Sequence, residues 1–181
     1  MKQTQTYIKL KDKPTDNYPK MLIIHHSGGT NANPLADTSH HTAKIMEDYH
    51  LSRGWEGLGY HYVIQKDGEI WQGRPENYHG AHTTNHNTDS IGICLSGNFD
   101  ATLPTIEQKN ALKGLLGVLK AKYNTDTIVP HRTYANKTCY GNKLSDTWAK
   151  ELISEVVDNK SAIIAKLDII NREVNDIKNL L

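Results

Sequence analysis

The chain of 181 residues lacks an imbalance of charge, an apolar leader and more than two cysteines. With 21 Lys and Arg against 20 Asp and Glu the net charge is +1, which generates no basic field strong enough to recommend nucleic acid as a partner. The first twenty residues, MKQTQTYIKLKDKPTDNYPK, contain no unbroken apolar stretch of the kind a signal peptide or membrane anchor requires. The expectation is therefore synthesis in the cytoplasm, no membrane insertion, and release before any action outside the cell. Two cysteines allow at most one disulfide, but Cys94 sits mid-strand between Ile93 and Leu95, where a thiol is ordinary core packing, and both cysteines read as free thiols. No internal repeat or low-complexity tract is present.

What is there is enough for one well-buried domain with something added at an end. Residues 1–20 are polar with two prolines and read as an N-terminal arm, extended until a first buried strand over Met21–His26. A helix is expected around Thr38–His50, where Ala43, Ile45, Met46 and Tyr49 form an apolar face. Asp67-Gly68 between two β-prone runs predicts a hairpin. Ser90–Gly97 is another buried strand. Thr105 with Gln108 makes a capping box for a helix to about Tyr123, and a short strand then runs into His131. Strands interleaved with helices give an α/β class, with a mixed central β-sheet flanked by helices.

The ligand-type residues are the most informative feature. The apolar run MLII delivers His25; His131 stands eight residues before Cys139, and Lys137 two before it. Two neutral imidazoles and a thiolate suit Zn²⁺, and three protein ligands leave a coordination position open, which is the mark of a catalytic site. His131 and Cys139 could alternatively be half of a structural zinc knuckle, but no second closely spaced Cys or His pair accompanies them. Ten histidines offer many false sets. His40, His41 and His50 read as solvated or capping imidazoles, and His61 as structural. His79, His82 and His86 in a Gly- and Asn-rich loop would, alone, look like a second metal site. Neighbouring side chains on a strand face opposite ways, so only one of His25 and His26 can reach a given ion.

A series of blocks then resembles a family: IIHHSGG (23–29), YHLSRGWEGLGYHYVIQKDGEIWQGR (49–74), HGAH (79–82), SIGICLSGNF (90–99) and HRTYANKTCYGNKL (131–144). Together they are similar to the zinc amidases of the peptidoglycan-recognition type, which include phage lysozymes that are N-acetylmuramoyl-L-alanine amidases. The resemblance implies zinc ligands His25, His131 and Cys139, with Tyr60 and Lys137 in the active site. It makes the His79–His86 loop a groove wall with His82 touching substrate, and His26 a support behind the site. It implies bacterial peptidoglycan as substrate and, as the bond cut, the amide between N-acetylmuramic acid and L-alanine, as in a phage endolysin. The alternative is a module that binds muropeptide without cutting it; binding-only members commonly lose the cysteine ligand, which this chain keeps. Two departures stand out. Cys94 and Ser96 lie where some of the wider superfamily carry an acidic general base, and Tyr140 replaces a frequent proline.

The resemblance assigns an amidase domain to 21–158 and leaves 159–181 unexplained. There Ile163, Leu167, Ile170, Val174, Ile177 and Leu181 alternate steps of four and three, a heptad seam that Val156 and Ile153 continue backwards with Lys160 as one charged interruption. The expectation is a C-terminal amphipathic helix, either folded back on its own domain or joining copies of the chain into a homo-oligomer.

Overall fold

A computed structural model describes residues 1–13, 15–30 and 32–178, and within the last helix the side chains at 148–154, 163, 164, 166–171 and 174. Its elements are β1 (Lys2–Gln3), α1 (Gln5–Leu10), β2 (Met21–His26), α2 (Ala43–Ser52), β3 (Tyr62–Ile64), β4 (Ile70–Gln72), β5 (Ser90–Leu95), α3 (Ile106–Tyr123), β6 (Ile128–Pro130) and α4 (Trp148–Lys178). Among the described residues the strands form one sheet in the order β1-β4-β3-β5-β2-β6. β3, β5, β2 and β6 run parallel; β4 turns back antiparallel on β3, and β1 pairs with β4 at the edge. The mixed α/β sheet expected from the sequence is therefore present.

Alternation along the buried strands divides two layers. Leu22 and Ile24 of β2, Ile91, Ile93 and Leu95 of β5, and Tyr62 and Ile64 of β3 pack under α3 and the start of α4. The opposite face puts Val63 and Cys94 beneath Ala43 and Met46 of α2. Each fully buried Leu or Ile contributes about 1.5–3 kcal/mol, so both faces are covered and the strands read as continuous apolar runs. The capping box of α3 forms as expected: Thr105 Oγ1 accepts from Gln108 N–H and the Gln108 side chain accepts from Thr105 N–H.

Three details of the structure differ from the local expectations. Residues 1–20 are not simply an extended arm: Thr4 caps α1, and the Glu47 carboxylate on α2 accepts both the Thr6 N–H at 2.7 Å and the Thr6 hydroxyl. A six-residue helix is marginal alone, and this buried carboxylate supplies the tertiary support it needs. The first long helix begins at Ala43, capped by Thr42, rather than near Thr38. The boundary at 158/159 falls inside α4, which starts ten residues earlier on the domain itself. There Trp148 meets the buried Tyr140 ring at 5.6 Å, and Ala149 and Leu152 enter the core. Tyr140 is thus more than a substitute for proline, because its ring seats the first turn of α4 and its hydroxyl donates to Ser145 O at 2.7 Å. Leu181 lies outside the described residues, as do the side chains of Val156, Lys160 and Ile177.

Candidate active site

The site lies at the carboxyl ends of β2 and β6, where ligand crevices form in α/β sheets. His25, the last but one residue of β2, faces the α2 side of the sheet, while His26 faces the other core beside Phe99 at 5.8 Å. A short 3₁₀ turn, His131–Thr133, begins where β6 ends and brings the His131 ring to 4.4 Å from that of His25. Cys139 returns from the following loop with Sγ 3.7 Å from His25 Nδ1. One ligand atom from each of His25, His131 and Cys139 lies within 4.8 Å of the others. Both cysteines are free thiols.

Electrostatics prepare these groups as donors. Burial, then neighbouring imidazoles, holds His25 well below the usual histidine range; burial and then the Lys137 cation hold His131 at about 4. Both rings are therefore neutral at pH 7 and carry a free lone pair. Burial pushes the Cys139 thiol up to about 12, opposed by the His26 N–H, which donates to Sγ at 3.4 Å, and by Lys137. A thiolate exists there only if a cation accompanies it.

His82 lines the groove and also packs against His25. Its ring is buried behind His25, with Nδ1 3.1 Å from His25 Nε2. A Cβ at Gly92 would come within 2.5 Å of that ring and one at Gly80 within 2.4 Å, so the two glycines create the slot. If His25 Nδ1 is a ligand, Nε2 carries the hydrogen and donates to His82 Nδ1. His82 Nε2–H then points to Ser90 Oγ at 3.4 Å, and the Ser90 hydroxyl donates onward to the His86 carbonyl. His61 is structural, as expected: Nδ1 accepts from Gly92 N–H at 2.9 Å and Nε2 reaches Tyr78 O at 3.0 Å. His79 pairs with Asp16 and His86 with Asp89, so the three loop histidines do not converge on a second ion.

Tyr60 lies with its ring 5.1 Å from that of His25. Burial, followed by the nearby Cys94 and Cys139 thiols, raises its pKa well above the usual phenol value. Cys94, in the stretch where some of the wider superfamily carry an acid, lies close enough to influence the tyrosine. Ser96 is occupied elsewhere, donating to His41 O at 2.5 Å. Lys137 is exposed on the loop between His131 and Cys139 and lines the same groove.

Several supporting residues were not legible in the sequence. His50, read as a solvated imidazole, is buried, accepts the Gly59 N–H at 3.1 Å and stacks on Trp55 at 4.5 Å, fixing the backbone just before Tyr60. Arg132 binds the carbonyls of Gly141 and Leu144 at 2.8 and 2.7 Å and the Asp146 carboxylate at 2.6 Å, while its N–H donates to Cys139 O at 2.7 Å. Asp100 accepts from the Thr138 hydroxyl at 2.6 Å and Asn142 N–H at 2.8 Å. Together they hold the Cys139 loop in place. Glu47 and Glu56, two carboxylates near this region in sequence, are engaged away from the groove, with Thr6 and Tyr78.

Above the three ligand residues is a groove of about 800 Å³ walled by Thr30, Pro34, Trp55, Ala81 and Thr138. A second hollow of about 370 Å³ shares Trp55, Ala81, His82, His131 and Lys137 with it and continues past Thr84 and Tyr134. Length of this kind suits a piece of an extended polymer better than a compact metabolite.

Neutral imidazoles, a thiol, a protonated phenol and a lysine around one long groove are groups that can support hydrolysis. The chain belongs to the N-acetylmuramoyl-L-alanine amidase family, whose model matches residues 15–142, and it is a hydrolase of the peptidoglycan amide bond. It is 36% identical over 116 residues to the endolysin of Escherichia phage T7, a match covering 60% of this chain and 76% of that one. Among solved structures it is similar to the N-acetylmuramoyl-L-alanine amidase LysC from Clostridium intestinale, at 32% identity and a TM-score of 0.67 over 80% of this chain and 90% of the other. It also resembles a point mutant of Drosophila PGRP-LB in complex with tracheal cytotoxin, at 30% identity and a TM-score of 0.61, with 76% and 82% covered. Among the described residues no helix is long and apolar enough to cross a membrane.

Proposed function

We propose that His25, His131 and Cys139 hold one Zn²⁺ and that the chain, a phage-type endolysin, uses it to cut the amide between the lactyl group of N-acetylmuramic acid and L-alanine of the stem peptide. The observation carrying this reading is the convergence of the three ligand atoms at the base of the groove. The spacing fits: tetrahedral zinc with ordinary Zn–S and Zn–N bonds places sulfur and nitrogen about 3.6 Å apart, against 3.7 Å between Cys139 Sγ and His25 Nδ1. Two neutral imidazoles and one thiolate also match the softness zinc prefers. When bound, the ion supplies Lewis acidity toward the amide carbonyl and the means to ionise water near neutral pH.

The chain's own residues do the rest. Tyr60, kept protonated by its surroundings, serves as a hydrogen-bond donor and not as a base, and donates to the carbonyl oxygen as negative charge develops on it. Lys137 adds a cation on the other side of the groove. His50 and Trp55 hold the wall that positions Tyr60. Action on the wall follows release from the cell that makes the chain.

Digestion of defined peptidoglycan, with the fragments read by mass spectrometry, tests the bond assignment. The expected products carry new free amino groups on L-alanine and no new reducing sugar ends; new reducing ends without free alanine amines would refute it.

The arrangement behind His25 yields a further expectation. His82→Ala leaves the His25 Nε2–H only the Thr83 hydroxyl, at 3.5 Å, as acceptor and should weaken zinc retention about 10- to 100-fold, read by competition with a chelator. His82→Asn, which keeps an acceptor near the Nδ1 position, should recover much of the loss. Equal retention by the alanine variant would return His82 to the substrate-contact role expected from sequence.

A further inference from the structure

Helix α4 has two halves of different character. In the first, Ala149 and Leu152 are buried and Ile153 packs against the core beneath α3. Beyond it the described apolar side chains meet solvent: Ile163, Ile164, Leu167, Ile169, Ile170 and Val174 are between 43% and 59% exposed. The helix therefore does not fold back onto its own domain there. Four of them, Ile163, Leu167, Ile170 and Val174, fall on one stripe of the helix, and an exposed apolar stripe marks a surface that something covers.

Register and composition identify the cover. With Ile163 at heptad position d, Leu167 is a, Ile170 d and Val174 a, and the sequence continues with Ile177 at d and, outside the described residues, Leu181 at a. Ile at d with Leu or Val at a is the reverse of the dimer preference and leans to three or four strands. The sequence also places Glu173 at g and Lys178 at the following e, opposite charges that meet between neighbours when helices run parallel and in register. A membrane surface is the poorer match, because Lys160, Lys166, Arg172 and Lys178 are nearly balanced by Asp168, Glu173 and Asp176, without the basic excess that draws a helix to anionic lipid.

We propose that the outer half of α4 joins three or four copies of this chain in a parallel coiled coil. Each copy's catalytic domain stays outside the bundle, so the assembly presents several grooves to one substrate. If that substrate is the polymeric wall, as the amidase reading has it, weak single-site contacts multiply through effective concentration. A seam this short is marginal alone, so assembly depends on protein concentration.

Light scattering on the full chain across a dilution series tests the assembly. The expected result is a trimer or tetramer mass that falls toward the monomer on dilution. Leu167→Asp and Ile170→Asp, both at exposed positions, should be monomers with unchanged zinc content and an unchanged rate on a soluble muropeptide, yet should lyse intact walls about tenfold or more slowly where wild type is assembled. A monomeric or dimeric wild type at high concentration would overturn the proposal, as would aspartate variants retaining the wild-type mass. A monomer that sediments with phosphatidylglycerol vesicles would make the stripe a lipid-binding face instead. Equal wall lysis by assembled and monomeric forms would remove the multivalent role. Failure of the amidase reading would appear separately, in the muropeptide rate.

Discussion

Cys139→Ser should abolish zinc retention and wall lysis together while leaving the fold intact. The thiol is held in place three ways: His26 N–H donates to it, Arg132 binds the Gly141 and Leu144 carbonyls that follow it, and Asp100 ties Thr138 just before it. Those contacts survive the substitution, because serine preserves shape. What is lost is ionisation and softness. Burial already pushes the thiol up to about 12, and a serine hydroxyl, intrinsically a far weaker acid, stays protonated even beside a divalent cation. Two neutral imidazoles alone bind zinc weakly, and without the ion the reaction has neither a Lewis acid nor ionised water. The expected readout is less than one zinc per ten chains by elemental analysis after dialysis, wall turbidity unchanged above background, and a melting transition close to wild type, since Cys139 is only partly buried. A serine variant that keeps its zinc and its lytic rate would place the metal elsewhere.

The parts of the fold carried by local pattern were legible in the sequence. The MLII run marked β2, the Thr105 and Gln108 pair marked the start of α3, and Asp67-Gly68 marked the turn where Gly68 takes a φ of +83°. Period-two alternation also showed that His25 and His26 face different ways. Elements held by distant partners were not legible. Thr6 and Glu47 are 41 positions apart, and Asp100 and Thr138 are 38 apart. Neither pair leaves a periodic trace, because each residue sits in a locally polar stretch. His50 was misread for the same cause: it ends an amphipathic helix, a position that reads as solvent-facing, while the packing of His82 against His25 was equally unmarked. Trp55 covers His50 and the glycine slot admits His82, three-dimensional facts that residue type alone does not encode. The helical character of the outer half of α4 was legible because its period is purely local, whereas the docking of its first turns through Tyr140 was not.

Tyr60→Phe and Lys137→Ala separate catalysis from metal binding. Neither side chain is a ligand, so each variant should retain about one zinc per chain while turnover falls. Phenylalanine keeps the ring beside His25 and His50 and removes only the hydroxyl, which is maintained as a donor because burial disfavours the phenolate. Loss of one donor to a developing oxyanion costs about 10²–10³ in kcat, and the loss should appear in kcat with KM little changed, since the interaction forms in the transition state. Lys137→Ala removes the cation that depresses His131 and opposes the rise of Cys139. Its two effects on the metal have opposite sign: a nearby cation repels Zn²⁺ but favours the thiolate, so retention should change little while kcat falls about 10²-fold. If both side chains act on the same oxygen, the double variant should lose less than the product of the single losses, because the second deletion removes a donor from an oxyanion already poorly held. Wild-type turnover in both single variants would mean that the charge is stabilised by other groups in the groove.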